Sequence, residues 1–206
     1  MAGLIVTGSP LSSSFDELTH TYRDESGRLI PSVSSVIQPL TQAVYGTIDP
    51  EILRRAADFG TAVHACTEFF DNGELDDDSV EEEWRPFLNA YKRFKVEMKP
   101  EIVRVEWRLA CERYAGTIDR LMIINGVEWI VDLKTTSQIH GHVGLQLAAY
   151  EALARLHLEE KKQLKRAALQ LKGDGTYRFV EFTDDSDYAC FNALIGVKNW
   201  REKHGY

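Results

Sequence analysis

The chain has 206 residues, 44% of them hydrophobic and 27% charged, which is enough for one sizeable globular domain in water. A formal net charge of −8 excludes a broad basic surface that holds nucleic acid by counterion release, while leaving room for a local groove. Cys66, Cys111 and Cys190 are widely spaced, with no Cys-x-x-Cys pair, which argues against zinc, an iron–sulfur cluster or a disulfide framework. There is no secretory leader pattern and no apolar run near the ~18 residues of a membrane span, so the expectation is a cytoplasmic protein with reduced thiols and no membrane partner.

Residues 1–14 are small and polar and read as a loose start before a hairpin around Ser26-Gly27. Pro31 and Ser32 suit the entry of a helix over residues 32–40. From Pro50, apolar residues at helical spacing (Ile52, Leu53, Ala56, Phe59, Val63, Cys66, Phe70) predict a helix that Asn72-Gly73 ends. Residues 71–83 hold eight of the 32 acidic residues and no base, and read as a solvated loop and helix start. A second helix carries Trp84, Phe87, Leu88, Tyr91 and Phe94 up to Pro100.

After Pro100 the period falls to two. Residues 102–110, 114–124 and 127–135 read as three successive strands, with Asn125-Gly126 supplying a type I′ turn between the last two. A long helix follows over residues 142–164, then a hairpin about Asp174-Gly175 within residues 166–182, then a closing helix over residues 186–204. The order predicts a single α/β domain with a mixed sheet flanked by helices: an extension over residues 1–49, a core over 50–182 and a C-terminal helix over 183–206.

Within the strands, Asp119 and Asp132 stand on either side of the Asn-Gly turn, so their carboxylates are placed to converge. Paired carboxylates in low dielectric repel, and a divalent cation relieves them. Lys134 shares a face with Asp132, while Leu133 between them points the other way and leaves its carbonyl as a further oxygen ligand. Oxygen ligands of this kind suit Mg2+ or Mn2+, with Lys134 orienting or deprotonating a water or neutralising charge on the phosphoryl group. A structural Asp-Lys ion pair on an exposed sheet face is the alternative. His64 and Glu68 repeat at i and i+4 on the first long helix, one turn after Gly60, and Gln146 and Tyr150 do so on the helix after the strands. Either pair is also compatible with ordinary polar helix positions.

Taken together, Gly60-His64-Glu68, Gly116 with Asp119, Asp132-Leu133-Lys134 and Gln146-Tyr150 resemble the PD-(D/E)XK nuclease superfamily, and within it the RecB-like, phage-type exonucleases. The resemblance covers about residues 50–155 and implies a restriction-endonuclease-like αβββαβ core. It implies that His64, Asp119, Asp132 and the Leu133 carbonyl bind the metal, that Lys134 is the catalytic lysine, and that Gln146 and Tyr150 position DNA or water. Glu68 and Glu106 would support that site or a second metal. Thr135 and Thr136 would give hydroxyls to a phosphate, and His142, with His140 at a helix start, would help hold one.

The implied activity is a metal-dependent DNA exonuclease in recombination, repair or phage DNA processing, with DNA and a recombination or replication protein as partners. A structure-specific or single-strand endonuclease of the same fold, and a non-catalytic DNA-binding scaffold, are the alternatives. Arg54-Arg55, Lys92-Arg93-Lys95 and the basic run at residues 161–166 are candidate DNA contacts or plain solvated helix faces. Tyr22, Tyr45 and Trp84 are candidate stacking platforms, with core packing the competing role for Trp84.

Overall fold

The computed structural model describes residues 9–17, 19–158 and 164–206. A five-stranded mixed sheet runs through the middle, ordered β4 (Glu101–Ala110), β5 (Ala115–Ile124), β6 (Val127–Lys134), β7 (Leu164–Leu171) and β8 (Tyr177–Phe182). Its pairs are antiparallel except β6 with β7, which is parallel. That parallel step needs a crossover, and α4 (His142–His157) supplies it. A second, three-stranded antiparallel sheet is made by β1 (Ser13–Asp16), β2 (Thr21–Asp24) and β3 (Leu29–Ile30). The chain is α/β, with the expected helix, three strands, helix, strand order at its centre.

Among the described residues five α-helices flank the sheets. α1 (Val33–Tyr45) is capped by Ser32, whose hydroxyl accepts the Ser35 N–H at 3.1 Å. It continues through Pro39 and ends five residues past the expected helix, with Val33, Val36 and Ile37 anchoring its first turns in the core. α2 (Pro50–Asn72) opens with Asp49 as cap and Pro50 in its first turn, and closes on Gly73 at φ 72°, a left-handed position that favours glycine. α3 (Arg85–Met98) and α5 (Ser186–His204) complete the set.

The central sheet is buried on both faces. On one, Ile118, Leu121, Ile130 and Ala168 pack against α1, α4 and α5 through Val36, Leu147, Leu153 and Phe191. On the other, Met122, Val131, Leu133 and Leu169 pack against α2 and α3 through Val63, Tyr91 and Phe94. Each fully buried side chain of this size contributes about 1.5–3 kcal/mol. The β5–β6 turn has Asn125 at φ 51° and Gly126 at φ 77°, the paired left-handed residues of a type I′ turn.

Three expectations need correction. Ser13 and Ser14 are in β1, paired with Asp24 and Arg23, because β2 offers them a strand to pair with. α4 ends at His157, and Leu164, expected in that helix, opens β7 beside Glu128, where the parallel ladder buries it. Asp71, grouped with the solvated acidic loop, has a fully buried side chain at the end of α2, for the reason given below. The expected loose start at residues 1–8, and Lys161 and Lys162 of the basic run, lie outside the described residues. Among the described residues no helix is long and apolar enough to cross a membrane.

Candidate active site

β5 and β6 leave their turn as a regular antiparallel pair, from Ile124 with Val127 to Arg120 with Val131. The next positions in that register are Asp119 and Asp132, and there the ladder stops. Beyond it β5 stays with β4 down to Ala115, while β6 stays with β7, Asp132 beside Ala168 and Lys134 beside Gln170. Like charges directly opposite are unfavourable in a strand pair, so the pairing ends where the sequence places two carboxylates. The Leu133 N–H donates to Asp119 Oδ2 at 2.7 Å, and the carboxylate stands in for a ladder carbonyl.

His64 reaches this point from α2. Its Nε2 is 3.0 Å from the Leu133 carbonyl oxygen. A carbonyl only accepts, so Nε2 carries a proton, and Nδ1 lies 3.6 Å from Asp119 Oδ2. The Leu133 oxygen, expected as a metal ligand, here accepts a hydrogen bond from the imidazole and orients the ring. On β4, Glu106 has φ 43°, a conformation rare outside glycine, between the ladder pairs Val105–Arg120 and Trp107–Ile118. Ligand atoms of His64, Glu106 and Asp119 all lie within 4.8 Å of one another.

Burial, with Asp119 and then Glu68 adding repulsion against the relief given by Arg120, pushes the Glu106 carboxyl up to about 8. The surrounding protein leaves negative charge here uncompensated. One imidazole nitrogen and two carboxylates, short of positive charge, form a donor set that fits a hard divalent cation such as Mg2+ or Mn2+.

Asp132 is not part of that trio. Its side chain is almost wholly buried, and Oδ2 lies 2.7 Å from Lys134 Nζ. Burial raises its carboxyl to about 6, with Lys134 opposing and Asp119 adding to the shift. For Lys134, burial disfavours the charge, but Asp132 and Asp119 outweigh it and hold the amine above its ordinary value. Lys134 is therefore an ammonium. Of the three roles considered for it, orienting a water and neutralising phosphoryl charge match an ammonium, and taking a proton from water does not.

α4 supplies the rest. Lys134 Nζ donates to Gln146 Oε1 at 3.2 Å, and Gln146 Nε2 donates to the Tyr150 hydroxyl at 3.1 Å. Burial, with Asp132 and Asp119 nearby, raises the Tyr150 phenol further, so it keeps its proton. Tyr150 packs on Gly116: a Cβ there would meet Tyr150 Cε1 at 2.7 Å. The glycine makes room for that ring.

Other expected residues lie around this centre. Thr135 packs near Gly60, and Thr135 and Thr136 line a cavity of about 390 Å3 with Phe87 and Gln170. The Thr136 hydroxyl donates to the Gln138 carbonyl at 3.0 Å. His142 stacks on His140 at 5.9 Å, with Tyr45 edge-on to both. Trp84 packs among apolar residues of α2 and α3. The basic clusters are matched by acids: Arg54 with Glu51 and Asp58, Arg55 with Glu51, Lys92 with Asp77, Arg93 with Glu97 and Arg166 with Glu151 and Asp187.

Sequence reasoning missed Arg120. Fully buried next to Asp119, it bonds Asp71 Oδ2 at 2.7 Å and Thr67 Oγ1 at 3.1 Å, and reaches Glu106 Oε1 at 3.4 Å. Asp71 also takes bonds from the Tyr91 hydroxyl and from Lys95 at 2.8 Å. This is why Asp71 is buried. The signal available in sequence was a charged residue in the middle of an apolar strand, which requires a buried partner.

A scan against protein-family models finds no match to the chain, and a search of curated proteins finds none either. The functional reading therefore stands on the site and on the motifs quoted above.

Proposed function

We propose that the chain is a divalent-metal-dependent nuclease that hydrolyses phosphodiester bonds in DNA, acting as an exonuclease at ends. The observation that carries this reading is the meeting of His64, Glu106 and Asp119, beside the Lys134–Asp132 pair, where the β5–β6 ladder stops. A bound Mg2+ or Mn2+ would supply Lewis acidity toward a phosphoryl oxygen and an acidified water. His64, Glu106 and Asp119 would hold it. Lys134, kept charged by Asp132 and aimed by Gln146, faces the negative charge that builds as phosphorus is attacked. Tyr150 fixes Gln146 and thereby the ammonium. Action at ends follows the motif resemblance, in which Gly60-His64-Glu68 and Gln146-Tyr150 are the RecB-like elements.

The test is digestion of end-labelled single- and double-stranded DNA and of closed circular single-stranded DNA, with Mg2+ and with Mn2+. Release of nucleotides from linear DNA, with circles intact, is expected. Cutting of circles would replace the exonuclease by an endonuclease, and calorimetry showing no Mn2+ binding would sink the enzymatic reading.

A further inference from the structure

One cavity of about 410 Å3 runs from the candidate metal ligands Glu106 and Asp119 to the small N-terminal sheet, where Phe15, His20, Tyr22 and Arg108 line it. The Arg108 guanidinium lies over the Phe15 ring, 4.7 Å from its centroid. Phe15 in turn contacts His20 edge-on at 5.6 Å and Tyr22 at 4.7 Å. His20 adopts φ 49°, a left-handed conformation that a side-chain-bearing residue takes at a cost, at the tip between β1 and β2. The rings of Phe15 and His20 and a guanidinium plane thus line a cavity that also reaches the candidate metal ligands, while Tyr22 is buried with its hydroxyl 2.7 Å from that of Thr117.

We propose that this cavity holds one unpaired nucleotide next to the scissile phosphate, and that the enzyme engages DNA through a single-stranded end. Bases stack on aromatic rings and guanidinium planes without regard to sequence, which is what an end-trimming enzyme requires. The volume lies at the small-molecule end of the roughly 300–1,000 Å3 range of ligand sites, so a nucleotide fits and a base pair with both backbones does not. Arg108 is half-exposed, and besides its stacking on Phe15 it makes an exposed pair with Glu17 at 2.9 Å. Such pairs are weak enough for a phosphate to displace the carboxylate. Arg108 is the one arginine or lysine among the described residues that line the cavity, so it is the cation placed to take a phosphate there.

The proposal rests on the nuclease reading for its chemistry, but its test is one of binding. In a Lys134→Ala background, fluorescence anisotropy with Mg2+ measures affinity for a labelled single-stranded oligonucleotide and for a blunt duplex of the same sequence. The single strand should bind tighter by about tenfold or more, and Phe15→Leu, which keeps apolar bulk but removes the ring, should weaken it by about tenfold. Phe15→Trp should restore binding, and Arg108→Gln should weaken it and flatten its salt dependence. Equal affinity for the duplex, or single-strand binding unchanged in Phe15→Leu and Arg108→Gln, would overturn the proposal. The two readings fail separately. Single-strand binding through Phe15 without cleavage by the unmutated enzyme would sink only the nuclease, and cleavage that ignores Phe15 would sink only the subsite.

Discussion

Lys134 Nζ lies 2.7 Å from Asp132 Oδ2, and both side chains are largely withdrawn from water. The two residues share a face of β6, and each sustains the charge of the other in surroundings that would otherwise discharge both. The pair is a poised cation beside the candidate metal ligands, and its consequence is a sharp separation of roles. Lys134→Ala should lower the Mn2+-dependent cleavage rate by about 100- to 1,000-fold, the usual effect of losing one stabilising donor, while Mn2+ affinity by calorimetry stays near that of the parent. Near-parental cleavage would remove Lys134 from the chemistry.

Glu106 titrates near 8, against an ordinary carboxyl value of 4.5. Without metal, the folded protein therefore keeps a proton that the unfolded chain releases, and this contribution to stability is lost as pH rises between about 5 and 8. Thermal unfolding of the parent and of Glu106→Gln across that window should show the parent losing ground to the variant as pH rises. Saturating Mn2+ should reverse the trend for the parent, because the cation takes the place of the proton. Parallel curves for the two proteins would mean that Glu106 is not the group that titrates.

Arg120 and Asp71 form a buried pair at 2.7 Å with both side chains fully enclosed. Removing one charge strands the other, so Arg120→Met should cost about 3–5 kcal/mol in urea unfolding. Adding Asp71→Asn should recover part of that loss. A deficit under 1 kcal/mol for the single variant would show that water reaches the pair.

Gly116→Ala is expected to act at a distance from the metal ligands. Its new Cβ would lie 2.7 Å from Tyr150 Cε1 and 3.2 Å from Val33 Cγ2, and Tyr150 is held by Gln146. Overpacking of this kind costs about 1–3 kcal/mol. Tyr150→Phe, which removes the hydroxyl bond to Gln146 while leaving the ring, should spare stability yet lower the cleavage rate. A Gly116→Ala melting midpoint equal to the parent's would show that the ring yields.

Much of this arrangement was legible in sequence because it rests on periodicity. Alternation along β6 put Asp132 and Lys134 on one face with Leu133 in the core, and helical spacing put His64 and Glu68, and Gln146 and Tyr150, one turn apart. Long-range partnerships were not legible. Nothing local says that Asp71 belongs with Arg120, 49 residues away, so it was read with the acidic loop that follows it. The same holds for Arg108 and Phe15, which meet only because the N-terminal hairpin folds onto β4. The end of α4 was misplaced because the residues up to Leu164 are good helix formers, and strand pairing with β6 decided otherwise. Glu106 was visible as an acid on the preceding strand, but its left-handed backbone and its proximity to His64 and Asp119 were not.

The Asp119 carboxylate, as the acceptor for the Leu133 N–H, is part of the sheet's own wiring. Under the proposed function this residue meets two demands at once, folding and metal binding. Replacing Asp119 should therefore cost stability even without metal, whereas the Lys134 side chain meets the side chains of Asp132 and Gln146 and takes no part in the ladder. Loss of cleavage in an Asp119 variant would thus report on the sheet as well as on the proposed metal, and a Lys134 variant separates the two.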